Sequence, residues 1–180
     1  MSVASTIKSR VSTAKFTSQW VNPEKIIDLL DVAVYAPNHK MRQPWRFVIL
    51  EGAGKDKFVT NYLAQVKESE REEHKKLVMK VMMAPTVVAF IMKKNPVYAD
   101  EIEDIQACAA LIQNFLLLLE DEKMGSFWKT PKYIETEKFK DVLGIRYDEL
   151  VLGLVMVGYP QVKVEPKLRE SAKLLTTIYE

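Results

Sequence analysis

The chain has 180 residues, of which 48% are hydrophobic and 28% are charged, a composition typical of one globular domain spanning residues 1–180. The formal net charge of +2 is too close to neutrality to indicate a nucleic acid or an anionic membrane as a partner. A single cysteine, Cys108, excludes an internal disulfide and favours a reducing, cytoplasmic compartment. Cysteine and histidine do not cluster at zinc-site spacing, so no metal is expected.

The N-terminal segment is basic and has two interpretations. The first acidic residue is Glu24, and Lys8, Arg10 and Lys15 precede it among many serines and threonines. Such a composition is typical of a mitochondrial transit peptide, or of a basic arm that belongs to the fold and binds an anion. We favour the arm. The longest apolar run, residues 107–119, is too short and too polar to predict a bilayer span.

The predicted elements alternate between helical and strand periodicity. In chain order, the predicted helices span residues 23–35, 55–66, 102–123 and 136–143, and the predicted strands span residues 47–50, 87–92 and 152–157. The first helix has Asn22 as its N-cap and Pro23 at its first position, and Pro37 ends it. Gly125 is expected just past the end of the longest helix. Because helices outweigh strands around one sheet, an α+β fold follows.

Four other stretches are assigned structural rather than chemical roles. Gly52-Ala53-Gly54-Lys55 (residues 52–55) favours a turn over a phosphate-binding loop, because the third glycine is missing. The mixed charge run 67–76, which includes His74, indicates a solvated helix face. Cys108 lies in an apolar helical run and is expected to be a buried, inert thiol. Residues 167–179 predict either a terminal helix or an arm that wraps a partner.

Three polar clusters could carry chemistry. Arg10 and Ser12, with no carboxylate nearby, can hold a phosphate by charge and hydroxyl. The connector, residues 36–47 (APNHKMRQPWRF), concentrates a histidine and three cations between a helix and a strand. The run 125–130 (GSFWKT) could face a flat ligand, or Trp128 could simply fill the core, and the residues alone leave both open.

These clusters together resemble the nitroreductase family of FMN-dependent flavoproteins. The family pattern R-[RH]-S-x-x-x-F is similar to Arg10, Ser12 and Phe16, and A-P-x-x-x-x-x-Q-P-W-x-F is similar to the connector. The G-x-P that ends the last family strand resembles residues 158–160. The small-chain branch is the most similar. The resemblance implies a three-layer sandwich whose central mixed, mostly antiparallel sheet is flanked by helices, in an intertwined homodimer.

The resemblance also implies an activity. Family members carry FMN, take a hydride from NADH or NADPH, and pass electrons by a ping-pong scheme to nitroaromatics, quinones or similar flat acceptors. Residue by residue, Arg10, Val11 and Ser12 would contact the FMN phosphate, and Tyr35 and His39 would flank the phosphate or the ribityl chain.

The remaining cofactor contacts are implied to come from the other subunit of the homodimer, with one FMN site at each side of the interface. They would be made by Trp128, Lys129 and Thr130. Lys129, or a backbone N–H beside it, would donate near N1 and O2 of the flavin, where reduction builds negative charge.

This chain departs from the family pattern at three cations, and alternatives therefore stay open. The replaced positions are Val11, Ala14 and Tyr35, and the cations that could compensate are Lys15, Arg42 and Lys129. Without compensation FMN would bind more weakly. One alternative is a flavin-binding carrier or sensor with little turnover. The other is a cofactor-free helical interaction module that docks through residues 67–76.

Overall fold

The computed structural model describes residues 2–179 and places one sheet between two layers of helices. Its strands are β1 (Trp45–Glu51), β2 (Thr86–Lys93), β3 (Gly125–Lys129) and β4 (Glu149–Gly158), in the order β1-β2-β4-β3. Its α-helices are α1 (Val3–Ser9), α2 (Pro23–Ala33), α3 (Gly52–Ala64), α4 (Arg71–Met82), α5 (Tyr98–Asp121) and α6 (Glu137–Leu143). Short 3₁₀ turns occupy His39–Met41, Glu68–Glu70, Lys132–Glu135 and Ala172–Leu175. The predicted α+β sandwich is confirmed.

The two faces of the sheet bury separate cores because side chains alternate along each strand. Phe47 of β1 faces α2 and α5, whereas Leu50 faces α3, α4 and α6. The named strands pair antiparallel throughout, and the parallel element is a single bridge between Ser12 and Ser126. Strand β2 is central and buried along seven of its eight residues, as its apolar run predicts.

A buried carboxylate links β4 to the edge strand β1, the two strands that flank β2. Glu149, at the start of β4, accepts hydrogen bonds from Arg46 of β1 at Nε (2.7 Å) and Nη2 (2.6 Å). It also accepts from the backbone N–H of Arg146 at 2.8 Å. The Arg46 guanidinium is the main cause of a pKa lowered to about 2 for Glu149, so this carboxylate remains ionised at neutral pH.

The charge run 67–76 forms the Glu68–Glu70 turn and the first half of α4, largely exposed to solvent as expected. His74 differs from its neighbours because its Nδ1 lies 2.8 Å from the hydroxyl of the fully buried Tyr62. The neighbouring hydroxyl of Tyr133 is buried and has no hydrogen-bond partner among residues 2–179. Of these two buried tyrosines, Tyr62 has a hydrogen-bond partner for its hydroxyl and Tyr133 has none within residues 2–179.

Several predicted boundaries are wrong. Helix α3 begins at Gly52, so residues 52–55 are its first turn and not a separate turn, and α5 begins at Tyr98 and not at residue 102. The chain forms α1 before Arg10, where only an arm is predicted; Ser2 caps it by accepting from the Ser5 N–H at 3.2 Å. Helix α5 ends at Asp121, and the left-handed residue that follows its C-cap is Lys123 (φ 60°), not a glycine. Gly125 instead begins β3, where an added Cβ would lie 2.9 Å from the Thr13 side chain.

Helix α5 is the central helix of its layer. An 18-residue window of this 24-residue helix has a mean hydropathy of 1.4, which reaches the length and composition of a bilayer span, as core helices of soluble proteins also do. Eight of its side chains are buried, however, and most of them pack in the core shared with α2 and the sheet. After β4 the chain continues as an exposed C-terminal arm (residues 161–179) with one 3₁₀ turn, so residues 167–179 do not form a terminal α-helix; that the arm wraps a partner stays a prediction.

Candidate functional site

The segment around Arg10 is fastened to the end of the sheet. The Thr13 N–H donates to the Ser126 carbonyl (2.9 Å), and the Thr17 N–H donates to the Tyr159 carbonyl (2.8 Å). Thr13 is buried, and Phe16 packs against the core shared with α3, α4 and α6. These anchors hold the R-x-S-x-x-x-F motif in a fixed position.

A basic cavity of about 750 Å³ opens beside this segment. Its lining residues are Ile7, Lys8, Arg10, Val11, Gln113, Pro166, Lys167, Leu168 and Arg169. None of them is acidic, and the cations come from α1, from the following segment and from the C-terminal arm. Sequence reasoning missed Lys167 and Arg169; the only sequence signal is that two cations lie two positions apart in the arm, as in a phosphate-binding pair.

A second cleft, which we call the histidine cleft, lies beside the basic cavity along helix α5. Its volume is about 400 Å³, and it is lined by Pro37, Asn38, His39, Glu103, Gln106, Ala107 and Ala110. Ala110 and Gln113 are three positions apart on α5, a rise of about 4.5 Å on one helix face. The two openings are therefore neighbours, and Arg10 and His39 are brought to the same side of the molecule although 28 residues separate them in the sequence.

Other predicted residues lie apart from these openings. Tyr35 is 88% exposed at the end of α2 and lines neither cavity. Arg42 is not a free cation for a ligand, because its guanidinium is bound to carboxylates of α5. Cys108 is buried, and burial raises the pKa of its thiol to about 12, as expected for an inert cysteine.

Strand β3 sends Trp128 and Lys129 to opposite faces of the sheet. The indole of Trp128 packs against the α2–α5 core; its Nε1 lies 3.4 Å from the Leu152 carbonyl, and a Cβ at Gly153 would lie 2.1 Å from Nε1. The Lys129 ammonium lies 4.4 Å from the centroid of Phe127 on the other face. One ligand on one face of this strand therefore cannot contact both side chains.

The outer edge of β3 also presents backbone groups. The strand pairs with β4 on one side, and on the other side Ser126 is bonded to Thr13. Since backbone groups alternate along a strand, the N–H of Trp128 points to the same outer edge as the Ser126 carbonyl. Ser12 and Thr130 are exposed at the two ends of this edge.

The comparisons with known proteins agree with this architecture. The family model described as the nitroreductase family matches residues 7–159. A Bacillus subtilis (strain 168) protein named "Putative NAD(P)H nitroreductase YfhC" is 30% identical over 170 residues, which cover 91% of this chain and 87% of the relative.

Solved structures give the same result. A nitroreductase-like family protein from Bacillus cereus superposes with a TM-score of 0.92 at 30% identity, covering 100% of this chain and 97% of that one. A variant of the FMN and NADPH-dependent nitroreductase NfnB from Sphigopyxis sp. strain HMH shares the fold, with a TM-score of 0.78, 14% identity and 99% coverage of both chains. By sequence over most of its length and by fold, the chain belongs to the nitroreductase family.

Proposed function

We propose that residues 1–180 form a single FMN-binding domain of an oxidoreductase. It takes a hydride from NADH or NADPH and reduces nitroaromatics, quinones or similar flat acceptors in a ping-pong scheme. The observation that carries this proposal is the basic cavity, which combines Arg10 with cations from two other segments. Family membership and the names of the relatives support the same activity.

The residues of the basic cavity fit a phosphate monoester. Lys8, Arg10, Lys167 and Arg169 supply positive charge, and no lining carboxylate opposes it. Guanidinium groups bind phosphate oxygens through two parallel N–H donors, while lysines act as point charges. These cations compensate for the family positions occupied here by Val11 and Ala14. Val11 and Ser12 would complete the contacts at the phosphate.

The rest of the cofactor would extend along α5 toward the histidine cleft. His39 is the side chain that would meet the ribityl chain or ring edge there, and Tyr35 would contribute only from outside the cleft. When bound, FMN supplies the hydride chemistry, so the protein needs no acid or base of its own. The outer-edge N–H of Trp128 is a better candidate donor for N1 and O2 than the Lys129 ammonium, which lies over Phe127.

A homodimer with FMN at its interface completes the proposal. The layer formed by α1, α2 and α5 exposes large apolar side chains: Val3, Ile7, Ile27, Val32, Tyr98, Ile102 and Ile105. The C-terminal arm exposes seven more: Val162, Val164, Leu168, Leu174, Leu175, Ile178 and Tyr179. Apolar area of this extent is typical of a protein–protein interface, and a second copy of the chain in the cytoplasm is the partner we propose. The backbone N–H of Trp128 and the exposed Thr130 would then be available to the neighbouring copy's cofactor, with Lys129 reaching it only through its backbone.

Flavin retention tests the proposal. Purified protein is incubated with FMN and desalted, and its visible spectrum is recorded before and after anaerobic addition of NADPH or NADH. We expect about one FMN per chain and bleaching by a nicotinamide, with reoxidation by an added quinone. Colourless protein after reconstitution contradicts FMN binding, and retained flavin without bleaching favours the carrier or sensor.

The phosphate assignment has its own test. Arg10→Ala removes charge-assisted hydrogen bonds worth about 1.5–3 kcal/mol, so FMN should bind roughly 10- to 150-fold more weakly. Riboflavin, which lacks the phosphate, should bind to the variant and the wild type equally. Lys57→Ala is the matched control, since it removes an exposed cation of α3 in the opposite layer. Equal losses for FMN and riboflavin would refute the phosphate role.

A further inference from the structure

The connector adopts a backbone conformation that its own residues disfavour. Lys40, Met41 and Gln43 have φ angles of 53°, 52° and 45°, in the left-handed region that side chains with a Cβ rarely occupy. Within the connector, the Asn38 side chain accepts from the Gln43 N–H at 3.1 Å. Three such residues in one short loop persist only when the surroundings hold the loop in place.

Arg42, in the middle of these residues, ties the loop to α5. Its Nε donates to Asp104 Oδ1 at 2.8 Å, and its Nη2 donates to Glu103 Oε2 at 3.0 Å and to the Asp100 carbonyl at 3.2 Å. These carboxylates, Asp104 foremost, raise the pKa of Arg42 and keep it charged. We call this set of contacts the Arg42 clamp.

Asp104, the main partner of Arg42, is buried and is itself held by a second hydrogen bond. The Asp104 side chain is only 3% exposed, and its second oxygen accepts from Asn95 Nδ2 at 3.2 Å. Both carboxylate oxygens therefore have a protein donor. A buried carboxylate in such a network has a defined orientation, which it passes to the guanidinium bound to it.

The clamp shares a residue with the histidine cleft. Glu103 Oε2, which binds Arg42, also lies 4.0 Å from His39 Nδ1, and both Glu103 and His39 line the cleft. Fixing Arg42 therefore fixes two walls of the cleft: the α5 side through Glu103, and the connector side through the backbone.

We propose that Arg42 is a positioning residue, which holds the strained connector against α5 so that the histidine cleft is formed before the ligand arrives. This inference rests on the proposed flavin function, because the ligand of the cleft is taken to be the ribityl–ring part of FMN. Loss of the clamp lowers the population of the competent loop, and apparent affinity falls in proportion to that population.

The first test compares two flavins. Arg42→Met should weaken FMN and riboflavin by the same factor, about tenfold if one loop in ten remains competent. Arg10→Ala should weaken FMN alone. Arg42→Lys should be intermediate, because one ammonium cannot engage Asp104 and Glu103 in a fixed fork. The matched control is Arg46→Met, which removes another carboxylate-bound arginine from the far face of β1 and should leave both affinities unchanged.

A second measurement does not depend on flavin. Amide hydrogen exchange of residues 38–43 in flavin-free protein should accelerate in Arg42→Met but not in Arg46→Met. If Arg42→Met does not fold because Asp104 is left buried and unpaired, the double variant Arg42→Met/Asp104→Asn removes that charge and is used instead.

The outcomes separate the two proposals. Unchanged exchange overturns the clamp, whatever the flavin result. Faster exchange with unchanged riboflavin affinity overturns the positioning role while leaving the flavin function intact. Wild-type protein that binds neither flavin overturns the proposed function, and the positioning role with it.

Discussion

Protonation of the buried carboxylate Glu149 should govern the acid stability of this fold. Glu149 is 2% exposed and holds Arg46 of β1 and the backbone of Arg146. The variant Glu149→Gln keeps the size of the side chain and removes its charge. It therefore isolates the contribution of the ionised group to the free energy of unfolding.

The expected magnitude follows from the pKa of this group. Its value falls from 4.5 to about 2 in the folded state, mainly because of Arg46. This lowering of the pKa corresponds to about 3 kcal/mol in the free energy of unfolding at neutral pH. Because the folded pKa is the lower one, this stability is fully present above pH 4.5 and is lost as the pH falls toward 2.

The assay is urea unfolding of wild type and Glu149→Gln at several pH values between 7 and 2, at one protein concentration. The difference in free energy of unfolding between the two proteins should shrink by about 3 kcal/mol between pH 6 and pH 2. Glu137→Gln is the control, since Glu137 is 82% exposed and its pair with Lys140 is worth only a few tenths of a kcal/mol. A difference that does not change with pH would refute the reasoning.

Two other predictions concern packing. Gly153→Ala places a Cβ 2.1 Å from the Trp128 indole nitrogen, so it should lower the free energy of unfolding by about 1–3 kcal/mol and shift the tryptophan emission. Gly54→Ala lies in open space at the start of α3 and should raise the free energy of unfolding by up to about 1 kcal/mol. Unfolding curves that rank the two variants the other way would contradict this. Tyr133→Phe removes a buried hydroxyl that has no hydrogen-bond partner within residues 2–179 and should be neutral or stabilising. Tyr62→Phe removes the hydroxyl that bonds His74 and should cost about 1 kcal/mol, so equal losses in chemical denaturation would be inconsistent with this hydrogen-bond pattern.

Local signals in the sequence predict the elements whose ends are fixed locally. Asn22 caps α2 by accepting from the Glu24 N–H at 3.0 Å, so the predicted start is correct. The end of α5 is different, because Lys123 takes a left-handed conformation that its side chain does not favour. What requires glycine at position 125 is the close approach of Thr13, a contact across more than a hundred residues that no local pattern contains.

In the candidate site, too, residues in local motifs could be predicted and residues joined by long-range contacts could not. Arg10 is recognisable because its motif is contiguous, but Lys167 and Arg169 join it only through the path of the C-terminal arm. The role of Arg42 depends on Asp104, whose side chain could not be paired with it from spacing alone. The opposite directions of Trp128 and Lys129, in contrast, follow from strand alternation once residues 125–129 are known to be a strand.

The fastening of the N-terminal segment also constrains how the protein is made. Besides Ser126 of β3, its anchors lie in the three residues that follow β4. Phe16 bridges Pro160, and the Gln161 N–H donates to the Lys15 carbonyl at 3.0 Å. A ribosome adds about 5–20 residues per second, so the N-terminal segment is synthesised several seconds before the residues that follow β4 and anchor it. The R-x-S-x-x-x-F motif is therefore fixed in position late in synthesis, and a chain truncated before β4 lacks most of the contacts that hold Arg10 in place. The phosphate site proposed around Arg10 therefore forms only after residues 159–161 have been synthesised and packed.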